Sequence, residues 1–320
     1  VILNRRSALA LLGAGAVAAC ARGDDGAVLK VGSQRGGTKA MMEASGALKG
    51  APFTVEWSEF PAAQPLLEAI GAGAVDLGGV GDAPFLFAYQ SGSPIRSVQA
   101  TRYDTRNPAT AILVPAGSAL KGAGDLRGKR VATGRGSVGH FLLLRAMDRA
   151  GLQQKDLTVV FLPPGDAKGA FDTGAVDAWA TWNPYVAQAT LHDGARVIAD
   201  ARDLSTNYGF VAANERSIAD KRALIADFLD RNNQAQLWAG ANTDAYAAVL
   251  ARETGLAPDV ARHFGDRGLV VVPSDAKLLA AMQTVIDTFQ RTGVLAPTRP
   301  IAPAFDTSFD TRLREGASTA

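Results

Sequence analysis

The chain writes one stretch twice. GAVDLGGVGDAP at residues 73–84 returns as GAVDAWATWNPY at 174–185, and VGSQRGG (31–37) returns as VATGRGS (131–137) at nearly the same offset. An ordered pair of motifs copied at one interval constrains the fold to two similar lobes, each with a glycine turn and, further on, a proline-led helix start. A length of 320 residues agrees, being too long for one comfortable core and suited to two domains.

From Val28 short β-rich runs alternate with amphipathic stretches, the pattern of an α/β fold with two mostly parallel sheets flanked by helices. The first lobe is expected to run from a strand at Leu29 to Ser33 through a turn at Gly36-Gly37, a helix at Met41 to Leu48 and a strand at Phe53 to Trp57. A helix around Leu66 to Ile70, a strand at Val75 to Val80, a helix from Pro84 and strands at Ile95 to Thr101 and Ala109 to Val114 follow. The order then restarts with a strand at Lys129 to Thr133, a turn at Gly134 to Gly136, and a helix at Val138 to Ala150 whose apolar face carries Leu142, Leu143 and Ala146. Next come a strand at Thr158-Val159, a helix at Asp166 to Thr173, a strand at Val176 to Trp182 entering a helix at Pro184, and a strand at Arg196 to Ala199.

After a strand at Tyr208 to Ala213 the text turns helical, with Leu278, Met282, Val285 or Ile286, and Phe289 on one face and Ser274 as the expected N-cap. Such a tail does not make a third α/β lobe. It is expected to fold back onto the first, giving one lobe from 27–112 and 208–320, an inserted lobe at 113–207, and two crossings that act as a hinge. Pro297 to Pro303 reads as an extended arm.

Residues 1–20 read as a secretory signal: Arg5-Arg6, then an apolar run from Ala8 to Ala19 too short to span a bilayer. Its end, Val17-Ala18-Ala19-Cys20, resembles a bacterial lipobox, in which Cys20 is lipidated and becomes the N-terminus; cleavage of an ordinary leader near Ala18-Ala19 is the alternative. Ala21 to Gly26 would then be a polar tether. Cys20 is the sole cysteine, which excludes disulfides and cysteine-rich metal sites. With Arg5 and Arg6 set aside, 31 basic residues face 31 acidic ones, a balance that argues against a nucleic-acid partner.

In open α/β sheets ligands bind beyond the carboxyl ends of strands, where helices begin, and each repeat marks such an end. Gly36 and Gly136 permit tight turns, and the amides from Gly136 through Gly139 are expected to point free from a helix N-terminus, which suits an anion. A single glycine turn does no more than reverse a chain; the matched offset of the pair is what favours a ligand. Asp82 before Ala83-Pro84 and Asn183 before Pro184 are expected N-caps at the cleft edge. A carboxylate at Asp82 repels an anion unless it turns onto its own helix or the ligand also carries an amine.

Trp179 and Trp182 fall on opposite faces of a regular strand, so Trp182 is expected to line the cleft and cover an organic tail while Trp179 joins the core. Gln34, Arg35, Arg102 and Arg135 are candidate donors to an oxyanion. His140, His192 and His263 share no ligand-like spacing, and neither a nucleophile motif nor a P-loop is present. GRGSVG matches GxGxxG spacing through Gly134, Gly136 and Gly139, but Asp156 precedes a strand rather than ending one. No catalytic residue, metal or cofactor is expected.

Three segments, VEWSEFPAAQPLLEAIGAGAVDLGGVGDAP (55–84), GSVGHFLLLRAMDRAGL (136–152) and AFDTGAVDAWATWNPY (170–185), in this order resemble the aliphatic-sulfonate branch of the substrate-binding proteins of ABC importers. That branch is itself similar to taurine, nitrate and thiamine-precursor binders. The resemblance implies a periplasmic binding protein type II fold, capture of an alkanesulfonate or related organosulfonate between the lobes, and delivery to an ABC permease in the inner membrane. It further implies a periplasmic or extracytoplasmic monomer, with the lipid anchor as its membrane contact. The family's ligand loops correspond to Gln34, Gly81-Asp82, Gly136-Ser137-Val138 and Trp182-Asn183, to which Arg35 and Arg102 are added as candidate donors. Two departures are visible: Ser33 where the family often has tyrosine, and Val138-Gly139-His140-Phe141 where it often has a serine- and asparagine-rich turn.

Other functions stay open at this point. One is a binder of another small anion such as taurine or nitrate, or of a pyrimidine precursor, which an aromatic sandwich would mark. Another is an enzyme on the same fold; pyrimidine synthases that resemble these binders use a cysteine-rich motif, and porphobilinogen deaminases hold their cofactor on a cysteine, whereas Cys20 lies in the leader. A transcription-factor effector domain is opposed by the leader and by the missing helix-turn-helix.

Overall fold

The computed structural model describes residues 27–35, 37–103, 109–265, 268–296 and 299–310. The leader with Cys20, the tether, Gly36 and Pro297 lie outside the described residues. The first lobe opens with β1 (Ala27–Gln34), α1 (Thr38–Ser45), β2 (Phe53–Phe60), α2 (Ala63–Gly71), β3 (Leu77–Gly81), α3 (Asp82–Gln90) and β4 (Ile95–Tyr103). The second holds β5 (Thr110–Val114), β6 (Arg130–Thr133), α4 (Val138–Arg149), β7 (Thr158–Phe161), α5 (Pro164–Asp172), β8 (Ala178–Trp182), α6 (Tyr185–Leu191) and β9 (Arg196–Asp200). The chain ends through β10 (Tyr208–Asn214), α7 (Glu215–Ala241), α8 (Thr243–Thr254), α9 (Pro258–Gly265), β11 (Leu269–Val272) and α10 (Ala276–Arg291).

The repeated aspartate does the same structural work in both lobes. Asp76 accepts the Lys30 N–H at 2.8 Å and returns its own N–H to the Lys30 carbonyl at 2.9 Å; Asp177 does the same with Arg130, at 2.8 Å both ways. In each case a glycine at φ near +70° (Gly73, Gly174) precedes the motif, and the aspartate pins the incoming strand to the strand it joins. GAVD is therefore a strand-docking device. Cleft residues come only from the letters after it.

One sheet runs β11-β4-β10-β3-β1-β2 and the other β7-β6-β8-β5-β9. β1 pairs in parallel with β2 and β3, and β6 with β7 and β8. The strands that carry the chain across run the other way: β5 enters antiparallel to β8 and β9, and β10 returns antiparallel to β3 and β4. A chain that arrives from the cleft end must run opposite to strands whose carboxyl ends face the cleft.

Trp179 is 1% exposed and packs on Phe171 and Tyr185, as alternation along β8 requires. Leu278, Met282, Val285, Ile286 and Phe289 of α10 are all buried, and Phe289 meets Phe87 of α3 as well as His140 and Phe141 of α4, so this helix touches both lobes. Three expectations are corrected. Asp275 rather than Ser274 caps α10, accepting from the Leu278 N–H at 2.9 Å. Residues 269–272 add a strand at the edge of the first sheet. The described part of the proline-rich arm is packed: Arg299 lies 4.0 Å over the Tyr89 ring, and residues 302–304 form a 3-10 turn.

Candidate ligand-binding cleft

Both β3 and β8 end at an interlobe cavity of about 240 Å3. That is more than ten times the roughly 10–15 Å3 one water needs, so it has room for an organic molecule. Of the residues expected there, Gln34, Arg35, Gly81, Asp82, Ser137, Val138, Trp182 and Asn183 line it.

The 134–140 turn is held from within. Gly136 sits at φ +68°, and a Cβ on it would lie 2.7 Å from the Phe87 ring of the opposite lobe. Its N–H donates to His140 Nδ1 at 3.1 Å, the Ser137 N–H to the Gly134 carbonyl at 3.1 Å, and the His140 N–H to Ser137 Oγ at 3.1 Å. The expected row of free amides therefore shrinks. Val138 and Gly139 keep N–H groups without an acceptor among the described residues. Gly136 supports the loop without lining the cavity. Burial, and next the nearby Arg135, push His140 down to about 4, which keeps the imidazole neutral and able to accept the Gly136 N–H.

Asp82 is not an N-cap. Gly81 holds that position, and the Asp82 carboxylate accepts from Ala83 N–H at 2.7 Å, from Tyr208 N–H at 3.4 Å and from the Thr206 hydroxyl. It thereby ties α3 to the returning crossover. Burial raises its pKa above the ordinary carboxylate value against the pull of those bonds. Asn183 is not the N-cap of α6 either: Pro184 holds that position, and Asn183 Oδ1 accepts from the Ala187 N–H at 3.1 Å, one residue before the cap. Gln34 spends an amide hydrogen on the Gly79 carbonyl at 2.8 Å.

Two arginines, Arg35 and Arg202, are among the described lining residues, and Arg35 is the one free of a carboxylate. It donates to the Thr254 carbonyl at 2.8 Å and has no carboxylate partner among the described residues. Arg202, which also lines the cavity, is forked onto Asp200. Arg102 does not reach the site: Thr101 and Tyr103 line the cavity, so the side chain between them leaves from the other face of β4 and is exposed. Arg135 is not among the lining residues either, since its guanidinium lies 4.0 Å over Phe161. Trp182 and Tyr185 meet edge to face at 88°, a corner rather than a parallel slot.

Sequence reasoning missed the lining side chains Thr101, Tyr103, Tyr185 and Tyr208, and the whole contribution of α7 to α9: Asn232, Gln236, Tyr246 and Phe264. For Thr101 and Tyr103 the strand's alternation was an available signal. For the helices none was.

The lobes touch on both rims. Gln64 Nε2 donates to the Arg135 carbonyl at 2.9 Å, and His192 Nε2 lies 2.9 Å from both carboxylate oxygens of Asp259. At the centre, a Cβ on Gly81 would fall 2.6 Å from Val138 Cγ1.

The family described as NMT1/THI5 like matches residues 55–245. A protein of Escherichia coli (strain K12) named for aliphatic-sulfonate binding is 36% identical over 267 residues, 82% of this chain and 83% of that protein. The alkanesulfonate-binding protein SsuA of Xanthomonas axonopodis pv. citri, solved with bound MOPS, superposes with a TM-score of 0.80 at 33% identity, covering 88% of this chain and 98% of its own. The periplasmic aliphatic sulphonate binding protein SsuA of Escherichia coli gives a TM-score of 0.73 at 31% identity, covering 86% and 94%.

Proposed function

The chain belongs to the NMT1/THI5-like family, and from that premise we propose that it is an extracytoplasmic solute-binding protein that captures an organosulfonate between its lobes for an ABC importer. One observation carries the anion: Arg35 from the first lobe, unmatched by a carboxylate, shares a cavity with the start of α4, where the Val138 and Gly139 amides are unclaimed. A helix N-terminus and a guanidinium on opposite walls suit a group of three equivalent oxygens. The cavity exceeds what nitrate or sulfate fills, and its apolar walls suit an organic tail.

The magnitudes agree. A micromolar dissociation constant corresponds to about 8 kcal/mol, and hydrogen bonds to a charged group contribute roughly 1.5–3 kcal/mol each. About four donors therefore suffice before any tail is buried. A sulfonate is a permanent anion, held without proton transfer, so we assign the cleft no catalytic step. Bridging both lobes, the ligand favours the conformation in which they touch, because it binds that state better than an open one.

To the same proposal belong the two-crossing hinge, the secretory leader, lipidation at Cys20 and hand-over by a monomer to a membrane permease. The leader's charge pattern and lone cysteine support the export and the anchor. Calorimetry on ligand-stripped protein tests the ligand, using short and long alkanesulfonates, taurine, sulfate, nitrate and an aminopyrimidine. Alkanesulfonates are expected to bind tightest; tight binding of the aminopyrimidine alone sinks the sulfonate assignment. Arg35→Gln removes one charge-assisted contact and is expected to cost about 1.5–3 kcal/mol of affinity without lowering the melting temperature.

A further inference from the structure

The cavity does not stop at the strand ends. It continues into the first lobe to side chains of α7, α8 and α9, where Asn232, Gln236, Tyr246 and Phe264 wall it. Asn232 bonds Gln99 at 3.2 Å, two residues back along β4 from Thr101, so this end lies inside the lobe. Among the described residues the buried side-chain atoms without a partner are three oxygens: Thr181 Oγ1, Asn232 Oδ1 and Gln236 Oε1. Two of the three thus belong to this wall. They sit one turn apart on α7, on one helical face. Native folds keep few such groups without a reason, and a binding site awaiting its ligand is one.

We propose that the ligand's tail ends in a neutral hydrogen-bond donor, a hydroxyl group that gives its one hydrogen to the amide oxygen of Gln236, with Asn232 Oδ1 as the neighbouring alternative acceptor, so that hydroxyalkanesulfonates are preferred over plain alkanesulfonates. The inference rests on the sulfonate reading of the cleft. Met41, Val211 and Leu269 line the cavity and suit the methylene chain between the two ends. The terminal torsion of a glutamine is soft, so Gln236 swings toward a donor at small cost. Charge decides between hydroxyl and ammonium. Asp82 is the sole carboxylate among the described lining residues, and its oxygens are already taken by Ala83, Thr206 and Tyr208. An ammonium at the far end would leave water for amide dipoles alone, which is a costly exchange.

Calorimetry with the full-length, ligand-stripped protein tests this, using three series of matched chain length: plain, ω-hydroxy and ω-amino alkanesulfonates. At the best length the hydroxyl series is expected to bind about three- to tenfold tighter than the plain series. Gln236→Leu is expected to abolish that ratio, and its melting curve checks the fold. Asn232→Leu is the second variant, less clean because Asn232 also holds Gln99. No hydroxyl gain at any length, a gain that survives both substitutions, or an ω-amino series that binds tightest overturns the proposal while leaving the sulfonate reading intact. Failure of all three series to bind overturns both.

Discussion

At the scale of the residue, His140 governs the 134–140 turn through its protonation state. The imidazole is 1% exposed, wedged against Phe161 and Phe289, and accepts the Gly136 N–H on Nδ1, which only the unprotonated ring can do. Its pKa is held near 4 in the fold against 6.5 in a free chain. The unfolded chain therefore binds the extra proton first. Stability is unaffected above 6.5, falls as pH drops from 6.5 to about 4, and is flat in this respect below that. The total is about 3 kcal/mol, at 1.36 kcal/mol per unit. Urea denaturation from pH 7 to 4 is expected to show this slope in the wild type and its loss in His140→Gln, whose amide oxygen accepts the same N–H without titrating. Equal slopes in the two proteins would remove His140 from the account.

At the scale of the element, the two GAVD aspartates occupy equivalent positions with unequal surroundings. Asp76 also accepts from Ser217 Oγ at 2.6 Å and Lys221 Nζ at 2.7 Å, binding α7 to β3; Lys221 departs from helical geometry at φ −127° where its side chain turns in. Burial acts to raise the Asp76 pKa, but the bonds from Lys221, Ser217 and the Lys30 N–H outweigh it and hold the group below 3.8. Its contribution is present above 3.8 and is lost as pH falls through the lower folded value. Asp177 pairs with the more exposed Arg130. Asp76→Ala is expected to cost about 3 kcal/mol by denaturant melts, because the Lys30 N–H and Ser217 Oγ lose their acceptor and the part-exposed Lys221 ammonium keeps only the Val28 carbonyl, and Asp177→Ala about 1 kcal/mol. The repeat made the strand ends visible, because period-two alternation and glycine turns are local signals. What the aspartates do was not visible, since their partners lie 46 or more residues away. Arg102, expected as a donor in the cleft, lies inside β4 on the face away from the cavity, and residues 269–272 are too short a run for periodicity to identify. Asn232 and Gln236 belong to no motif; their place in the cavity arises from tertiary packing of α7 on the sheet.

At the scale of the whole molecule, the proposed capture depends on how closely two lobes approach, and Gly81 is a point where they meet. Its φ of −76° and ψ of 165° suit any residue, so a side chain there brings no backbone strain. The obstacle is the other lobe. A Cβ would stand 2.6 Å from Val138 Cγ1, well inside contact distance, while its nearest neighbours within the first lobe are the Pro84 ring atoms at 3.7 and 3.8 Å. Gly81→Ala should therefore leave the open protein folded and stable while holding the lobes apart, at a cost typical of overpacking, about 1–3 kcal/mol, which appears as weaker sulfonate binding. Val138→Ala removes the opposing methyl groups. The double variant is expected to recover most of the lost affinity, a coupling that a double-mutant cycle reads directly because the two residues belong to different lobes. Small-angle scattering adds the geometric measurement: saturating alkanesulfonate compacts the wild type and the double variant, and compacts Gly81→Ala less. If Gly81→Ala binds and compacts like the wild type, closure does not bring β3 and α4 together, and the ligand is not clamped between them.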